Sequence, residues 1–220
     1  MTDLHDYIES HTSPEPEWLY DLNRRTNLRL LNGRMCSGPV QGRFLKMLTS
    51  MARPMKALEL GTFSGYSALC LAEGMPKGSI LHTVEADDEL EDFIRESLAL
   101  APREISEKIQ LHIGNALDVV GQFPDASFDF AFIDASKREY PAYLKAVLPK
   151  MKPGSFIAAD NTLWDGHVAD PAYDRDPQTL GVREFNDLVA SHPCLETVIL
   201  PLRDGLTLMR VSTLPAGESF

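Results

Sequence analysis

From Lys56 onward, short apolar runs alternate with amphipathic stretches. Ala57 to Leu60, Ile80 to Glu85, Ile109 to Ile113, Phe128 to Ile133 and Ser155 to Ala159 read as strands, each rich in branched and aromatic side chains and bounded by polar or glycine-bearing turns. Helical spacing begins at Tyr66 and at Asp88, recurs around Leu117 and over Tyr140 to Leu148, and returns near Val182 to Ala190. Such alternation predicts right-handed βαβ units around a parallel sheet. Thr197 to Pro201 and Leu206 to Val211 have no helix between them and predict an antiparallel hairpin across Arg203-Asp-Gly205. The first 54 residues read as helices over Asp3 to Ser10, roughly Glu15 to Leu31, and Val40 to Met51, with Pro14, Pro16 and Gly38-Pro39 as punctuation. The expected organisation is a helical extension over 1–54 and a sheet domain over 55–220, together one structural domain. Asp165 to Thr179 reads as irregular and is long for a connection, which makes it a candidate active-site loop.

Composition narrows the class. At 220 residues, 44% hydrophobic and 24% charged, the chain can bury one good core. Its apolar runs are strand-length, short of the roughly 20 residues of a membrane span, and Met1-Thr-Asp-Leu-His-Asp lacks the basic start and apolar run of a secretory signal. The expected location is the cytosol. Cys36, Cys70 and Cys194 are odd in number and widely spaced, which suggests inert buried thiols rather than a disulfide framework or zinc ribbon. The net charge of −11 argues against a broad phosphate-binding surface, so Arg24, Arg25, Arg29 and Arg34 read as a solvated helix face or subunit contact. Trp18, Leu19, Leu22 and Leu28 exceed what the sheet needs for its own cover, and a homodimer is expected.

The chemistry concentrates at strand ends. Phe132-Ile-Asp-Ala-Ser-Lys137 and Ile157-Ala-Ala-Asp-Asn161 each put oxygen side chains after an apolar strand. Asp134, Asp160 and Asn161 suit a small hard cation such as Mg²⁺ better than zinc, which prefers His and Cys. Lys137, on the lip of the first ligand, is placed to take a proton from a hydroxyl. In Glu59-Leu-Gly-Thr-Phe-Ser-Gly-Tyr-Ser67, Gly61 and Gly65 let the chain turn tightly, while the next helix offers free N–H groups. Glu85 closes the second strand, where an acid takes the hydroxyls of a ribose. NAD would fit Glu85 too, but Glu59 before the turn suits a cationic amino acid moiety, as in S-adenosylmethionine, better than a pyrophosphate.

These residues resemble the cation-dependent O-methyltransferases of the catechol and caffeoyl-coenzyme A type. The resemblance runs from about Met35 to Val211 and rests on Gln41-Gly-Arg-Phe-Leu, Leu58 to Ser67, Phe132 to Lys137, Asp160-Asn-Thr-Leu-Trp-Asp-Gly166 and Asp204-Gly205. It implies a Rossmann-like class I methyltransferase fold, a seven-stranded mostly parallel sheet with an antiparallel C-terminal pair and extra N-terminal helices. It also implies S-adenosylmethionine as donor and Mg²⁺, Ca²⁺ or Mn²⁺ held by Asp134, Asp160 and Asn161. Under the same resemblance Glu59 neighbours the amino group of the methionine part, Ser67 its carboxylate, and Glu85 the ribose. Gly61 and Thr62 line the turn, the backbone near Ser37 closes over the cofactor, and Asn115, Ala116 and Asp134 complete the cofactor set. The chain departs from the family pattern in reading Gly114-Asn-Ala116 for Gly-Asp-Ala and Asp134-Ala-Ser-Lys137 for Asp-Ala-Asp-Lys.

A vicinal diol of the catechol kind has two oxygens for a bound cation, which lowers the pKa of the hydroxyl it holds. Lys137 is then the base, and the oxyanion attacks the sulfonium methyl in line. Trp164 reads equally as a pocket wall or a core plug, and Asp165 as a group reaching the acceptor. Asp204 is expected to shape the hairpin turn and His167 to be solvated. Two alternatives are a tRNA hydroxyuridine O-methyltransferase of the same fold, against which the acidic charge counts, and a non-catalytic cofactor-binding protein, against which the complete ligand and lysine set counts.

Overall fold

The computed structural model describes residues 3–212. Among them, helices α1 (Leu4–Ser10), α2 (Glu17–Arg29) and α3 (Gly38–Ala52) precede strand β1 (Lys56–Leu60) and helix α4 (Tyr66–Gly74). The chain continues through β2 (Ile80–Glu85), α5 (Glu91–Leu98), the short α6 (Arg103–Ser106), β3 (Ile109–Ile113), α7 (Ala116–Gly121), β4 (Phe128–Ile133) and α8 (Tyr140–Val147). It closes with β5 (Met151–Asp160), α9 (Pro177–Ser191), β6 (Leu195–Leu200) and β7 (Leu206–Val211). The described strands form one seven-stranded sheet in the order β3-β2-β1-β4-β5-β7-β6. The first five pair in parallel, and β7 runs antiparallel to both β5 and β6.

Alternation along the strands sends neighbouring side chains to opposite faces, and both faces are covered. Ala57, Phe130 and Phe132 join Leu19 and Leu22 of α2, Leu45 and Leu48 of α3 and Leu69 of α4 in one cluster. Leu58, Leu60, Ala131 and Ile133 face Val120 of α7, Tyr140 and Leu144 of α8 and Phe185 of α9 in the other. Leu19 and Leu22 are therefore fully buried in the protomer's own core, which corrects their assignment to a subunit contact. Leu28 and Leu31, by contrast, are 73% and 89% exposed.

Several boundaries differ from expectation for local reasons. The strand read as Ser155 to Ala159 extends back to Met151, because its pairing with β4 shifts register between Phe128 and Phe130, where Pro153 and a left-handed Gly154 intervene. Helix α9 begins at Pro177, well before Val182. Asp176 caps it by accepting from the Thr179 N–H at 2.8 Å, and Pro177 sits in its first turn, where its missing N–H costs nothing. What remains of the segment expected to be irregular is wound into 3-10 turns at Trp164–Ala169 and Pro171–Tyr173. The last hairpin starts at Leu195 rather than Thr197. All three cysteines are buried and free, and Arg24, Arg25, Arg29 and Arg34 lie on an exposed face. Among the described residues no helix is long and apolar enough to cross a membrane.

Candidate active site

Strands β1 and β4 are neighbours, yet the chain leaves β1 towards β2 and leaves β4 towards β5, so a crevice opens beyond their carboxyl ends. Gly61 and Asp134 meet there. Asp134 N–H donates to the Leu60 carbonyl at 2.8 Å, and Gly61 N–H donates across to Val84 at 3.0 Å. Gly61 has φ +96°, and a Cβ on it would overlap the Asp134 carbonyl, so only glycine lets the two loops pass this closely.

On the β1–β2 side, Glu59 is fully buried between Thr83 and Phe132. Thr83 donates its hydroxyl to Glu59 Oε2 at 2.6 Å and lies 2.5 Å from the Thr62 hydroxyl. Burial pushes the Glu59 carboxyl up to about 8, against the opposing pull of the Thr83 hydrogen bond. Its Oε1 has no hydrogen-bond partner. An unsatisfied buried acid oxygen demands a donor, and a methionine ammonium is such a donor. Glu85 accepts from Phe63 N–H at 2.7 Å and from Asp87 N–H at 3.0 Å, so it braces the glycine turn itself while keeping further lone pairs for other donors. Ser37 and Ser67 are buried, the latter in the first turn of α4. Asn115 caps α7, its Oδ1 accepting from Leu117 N–H at 2.9 Å, with the buried Ala116 next in line.

On the β4–β5 side, Asp160 is 3% exposed and both its oxygens are held. Gln41 of α3 donates Nε2 to Oδ2 at 2.6 Å, and Asn161 N–H donates to Oδ1 at 2.8 Å. Burial, followed by the charge of Asp134, raises the Asp160 carboxyl well above the usual range. Asn161 turns sharply with φ +55°. Lys137, also buried, donates Nζ to Asp134 Oδ1 and to the Tyr140 hydroxyl, each at 2.7 Å. Tyr140 is itself fully buried, with its hydroxyl within reach of the Asp160 carbonyl at 2.9 Å.

Asp134 and Asp160 are close enough for their charges to repel, and carboxylate oxygens with the side-chain oxygen of the adjoining Asn161 are donors of the kind a small divalent cation takes. Among the described residues no three His, Cys, Asp or Glu side chains gather into a group that could hold a metal ion.

Trp164 is half-buried rather than plugged into the core, and Asp165 is exposed. The Asp204 carbonyl accepts from the N–H groups of Leu163 at 2.7 Å and Trp164 at 3.2 Å, with Arg203 at φ +49° and Gly205 at φ +89° making the turn. Asp204 thus shapes the hairpin, and its carboxyl is raised by burial and by neighbouring Asp165. His167 is not solvated as expected. It stacks on Tyr173 with ring centroids 3.5 Å apart, and its Nδ1 is buried without a partner.

Sequence reading missed Gln41, Tyr140, Thr83 and Arg203 as site residues. Arg203 donates Nη1 to the carbonyls of Cys36 and Ser37 and to Gln41 Oε1, fastening the Ser37 segment to the final hairpin. Tyr140 had one available signal, its position three residues beyond Lys137 in a helix start. The others act across long sequence separations that no local pattern announces.

A family model described as O-methyltransferase matches residues 9–212. The catechol O-methyltransferase of Niastella koreensis is 32% identical, with 74% of each chain covered. Caffeoyl-CoA O-methyltransferase 2 of Populus trichocarpa is 34% identical over 94% of this chain and 87% of that one. Among solved structures, the O-methyltransferase TomG of Streptomyces achromogenes, involved in tomaymycin synthesis and in complex with SAM, superposes with a TM-score of 0.84 at 29% identity, covering 94% of this chain and 95% of its own. The O-methyltransferase of Bacillus cereus in complex with SAH gives 0.81 at 30% identity, covering 94% and 96%. With its seven-stranded methyltransferase sheet and this match along nearly its whole length, the chain belongs to the S-adenosylmethionine-dependent O-methyltransferase family.

Proposed function

We propose that this enzyme is a divalent-cation-dependent O-methyltransferase that moves a methyl from S-adenosylmethionine to one hydroxyl of a catechol-like or other vicinal dioxygenated acceptor. The observation that carries the reading is the fixed position of Lys137 Nζ, 2.7 Å from both Asp134 Oδ1 and the Tyr140 hydroxyl, beside Asp160. Asp134, Asp160 and Asn161 would hold the cation, which when bound supplies a lowered pKa for an acceptor hydroxyl. Lys137 Nζ, once it has released a proton to solvent and is a neutral amine, takes the proton from that hydroxyl, and Tyr140 keeps the amine from swinging away. Glu59, Thr62, Ser67, Glu85 and Ala116 would hold the methyl donor with the backbone at Ser37, and Trp164 with Asp165 would border the acceptor. Alignment of the acceptor oxygen with the methyl carbon at roughly 3 Å contributes much of the acceleration.

The reading includes a homodimer using the exposed Leu28 and Leu31 and a cytosolic location. It is tested by methyl transfer to a panel of catechols and to tRNA, each with and without EDTA. EDTA-sensitive methylation of a catechol is the expected result. Labelling of tRNA alone would replace the reading with a tRNA hydroxyuridine methyltransferase, and turnover indifferent to EDTA would remove the cation.

A further inference from the structure

The acceptor side of the crevice is built on strained backbone. Trp164, Asp165 and Gly166 have φ of +48°, +52° and +79° in succession, and only the last is glycine. Non-glycine residues persist in that region only where the surroundings over-determine them. The near end of the loop is held by the Asp204 carbonyl, which accepts from Trp164 N–H at 3.2 Å, and its far end by one helix. Arg183 of α9 donates Nε to the Val168 carbonyl at 2.9 Å, Nη2 to the carbonyls of His167 at 3.0 Å and Asp170 at 2.8 Å, and Nη1 to Asp174 Oδ1 at 2.7 Å. Asn186, one turn further along, donates Nδ2 to the Thr162 carbonyl at 2.8 Å, immediately after Asn161.

The same helix also abuts the base. A Cβ on Gly181 would overlap the Lys137 carbonyl and come within 2.8 Å of Arg138 Cα, so α9 lies directly on the turn that carries Lys137. One rigid element therefore touches the lysine turn, the residue after the amide ligand and the far end of the Trp164 loop. Most of the guanidinium's bonds go to backbone carbonyls, so the contact fixes chain conformation rather than reading a side chain, and a planar fork suits this better than a lysine ammonium.

We infer that Arg183 is a positioning residue for the methyl acceptor: through the Trp164–Asp170 backbone it sets where Trp164 and Asp165 stand relative to Lys137, without touching acceptor or cofactor. The inference rests on the proposed acceptor side of the crevice and extends it to a residue outside the site. Its signature is selective. Removing the clamp loosens the acceptor wall, while the cofactor turn at Gly61 and the Lys137–Tyr140 contact stay intact.

The test uses Arg183→Ala and Arg183→Lys in the full chain, with catechol as the acceptor probe. Arg183→Ala should raise the catechol KM at least tenfold, with kcat within about threefold and the affinity for S-adenosylhomocysteine unchanged. Arg183→Lys should fall between, and millimolar methylguanidinium should partly restore the KM of Arg183→Ala alone. In a Trp18→Phe background, where Trp164 is the remaining tryptophan, its emission should move to longer wavelength on Arg183→Ala. Unchanged KM and unchanged emission would overturn the inference, as would equal losses in KM, kcat and S-adenosylhomocysteine affinity, which indicate general destabilisation. If the wild type methylates no diol, the proposed function fails. The clamp is then judged on the Trp164 emission alone, supported by a shift and rejected without one.

Discussion

Gln41 Nε2 donates to Asp160 Oδ2 at 2.6 Å, joining a helix of the N-terminal segment to a proposed cation ligand far along the chain. Gln41 is held in turn by Arg203, which donates to its Oε1 at 3.1 Å. Outer partners of this kind orient a ligand and are worth roughly 10–100-fold in metal affinity or activity. Gln41→Leu should therefore weaken Mg²⁺-dependent turnover by about that factor while leaving S-adenosylhomocysteine binding in calorimetry intact. Equal weakening of both would reassign Gln41 to general packing.

Base and ligand should separate by mutation. Asp160→Ala is expected to abolish cation-dependent acceptor binding along with turnover. Lys137→Met should keep cation and cofactor binding yet lose about two to four orders of magnitude in rate, with residual activity rising with pH as acceptor ionises in solution. Near-normal turnover of Lys137→Met at neutral pH, with chemistry shown to be rate-limiting, would remove the lysine from the mechanism.

Gly61→Ala puts a methyl against the Asp134 carbonyl at a backbone φ of +96°. Both the strain and the overlap act on the donor turn, so S-adenosylhomocysteine affinity should fall at least tenfold, with a lower melting temperature. Gly78→Ala, also at positive φ but with open space around it, is the control for strain alone. If the two variants lose affinity equally, close packing at position 61 is not what matters.

A pH dependence of stability is expected away from the site. His82 Nδ1 lies 3.0 Å from His112 Nε2, with Lys56 nearby and the rings of Phe123 and Phe128 around it. Burial first, then His112 and Lys56, depresses His82 from 6.5 to about 4. The unfolded chain therefore binds this proton more readily, and the destabilisation is absent above pH 6.5, grows as pH falls and levels off near 4. Glu59, raised by burial, contributes with the opposite sign. The difference in melting temperature between wild type and His82→Phe isolates the histidine, and it should change steadily over that window. A constant difference would show that His82 does not titrate between the two states.

The exposed Leu28 and Leu31 make the proposed dimer testable. Sedimentation at micromolar concentration should give a dimer for the wild type and a monomer for the Leu28→Glu, Leu31→Glu double variant. A monomeric wild type would sink the assignment.

Legibility in the sequence followed the range of the interaction. Strand periodicity, the order of βαβ units, the reversed final pair and the strand-end residues Glu59, Gly61, Asp134, Asp160 and Asn161 could all be read locally, because alternation and tight turns leave their mark within a few residues. The start of α9 was legible too, in Asp176-Pro177, but the aspartates and prolines before it suggested an irregular stretch. Tertiary structure alone decided that Leu19 and Leu22 belong to the protomer's own core, because an amphipathic helix does not encode which apolar surface it meets. It also decided that Gln41 reaches Asp160, that Arg203 binds the Ser37 segment, and that Arg183 holds the Trp164 loop. These hydrogen bonds join groups brought together only when the sheet closes its crevice, and each uses a donor whose sequence neighbours carry no trace of its acceptor.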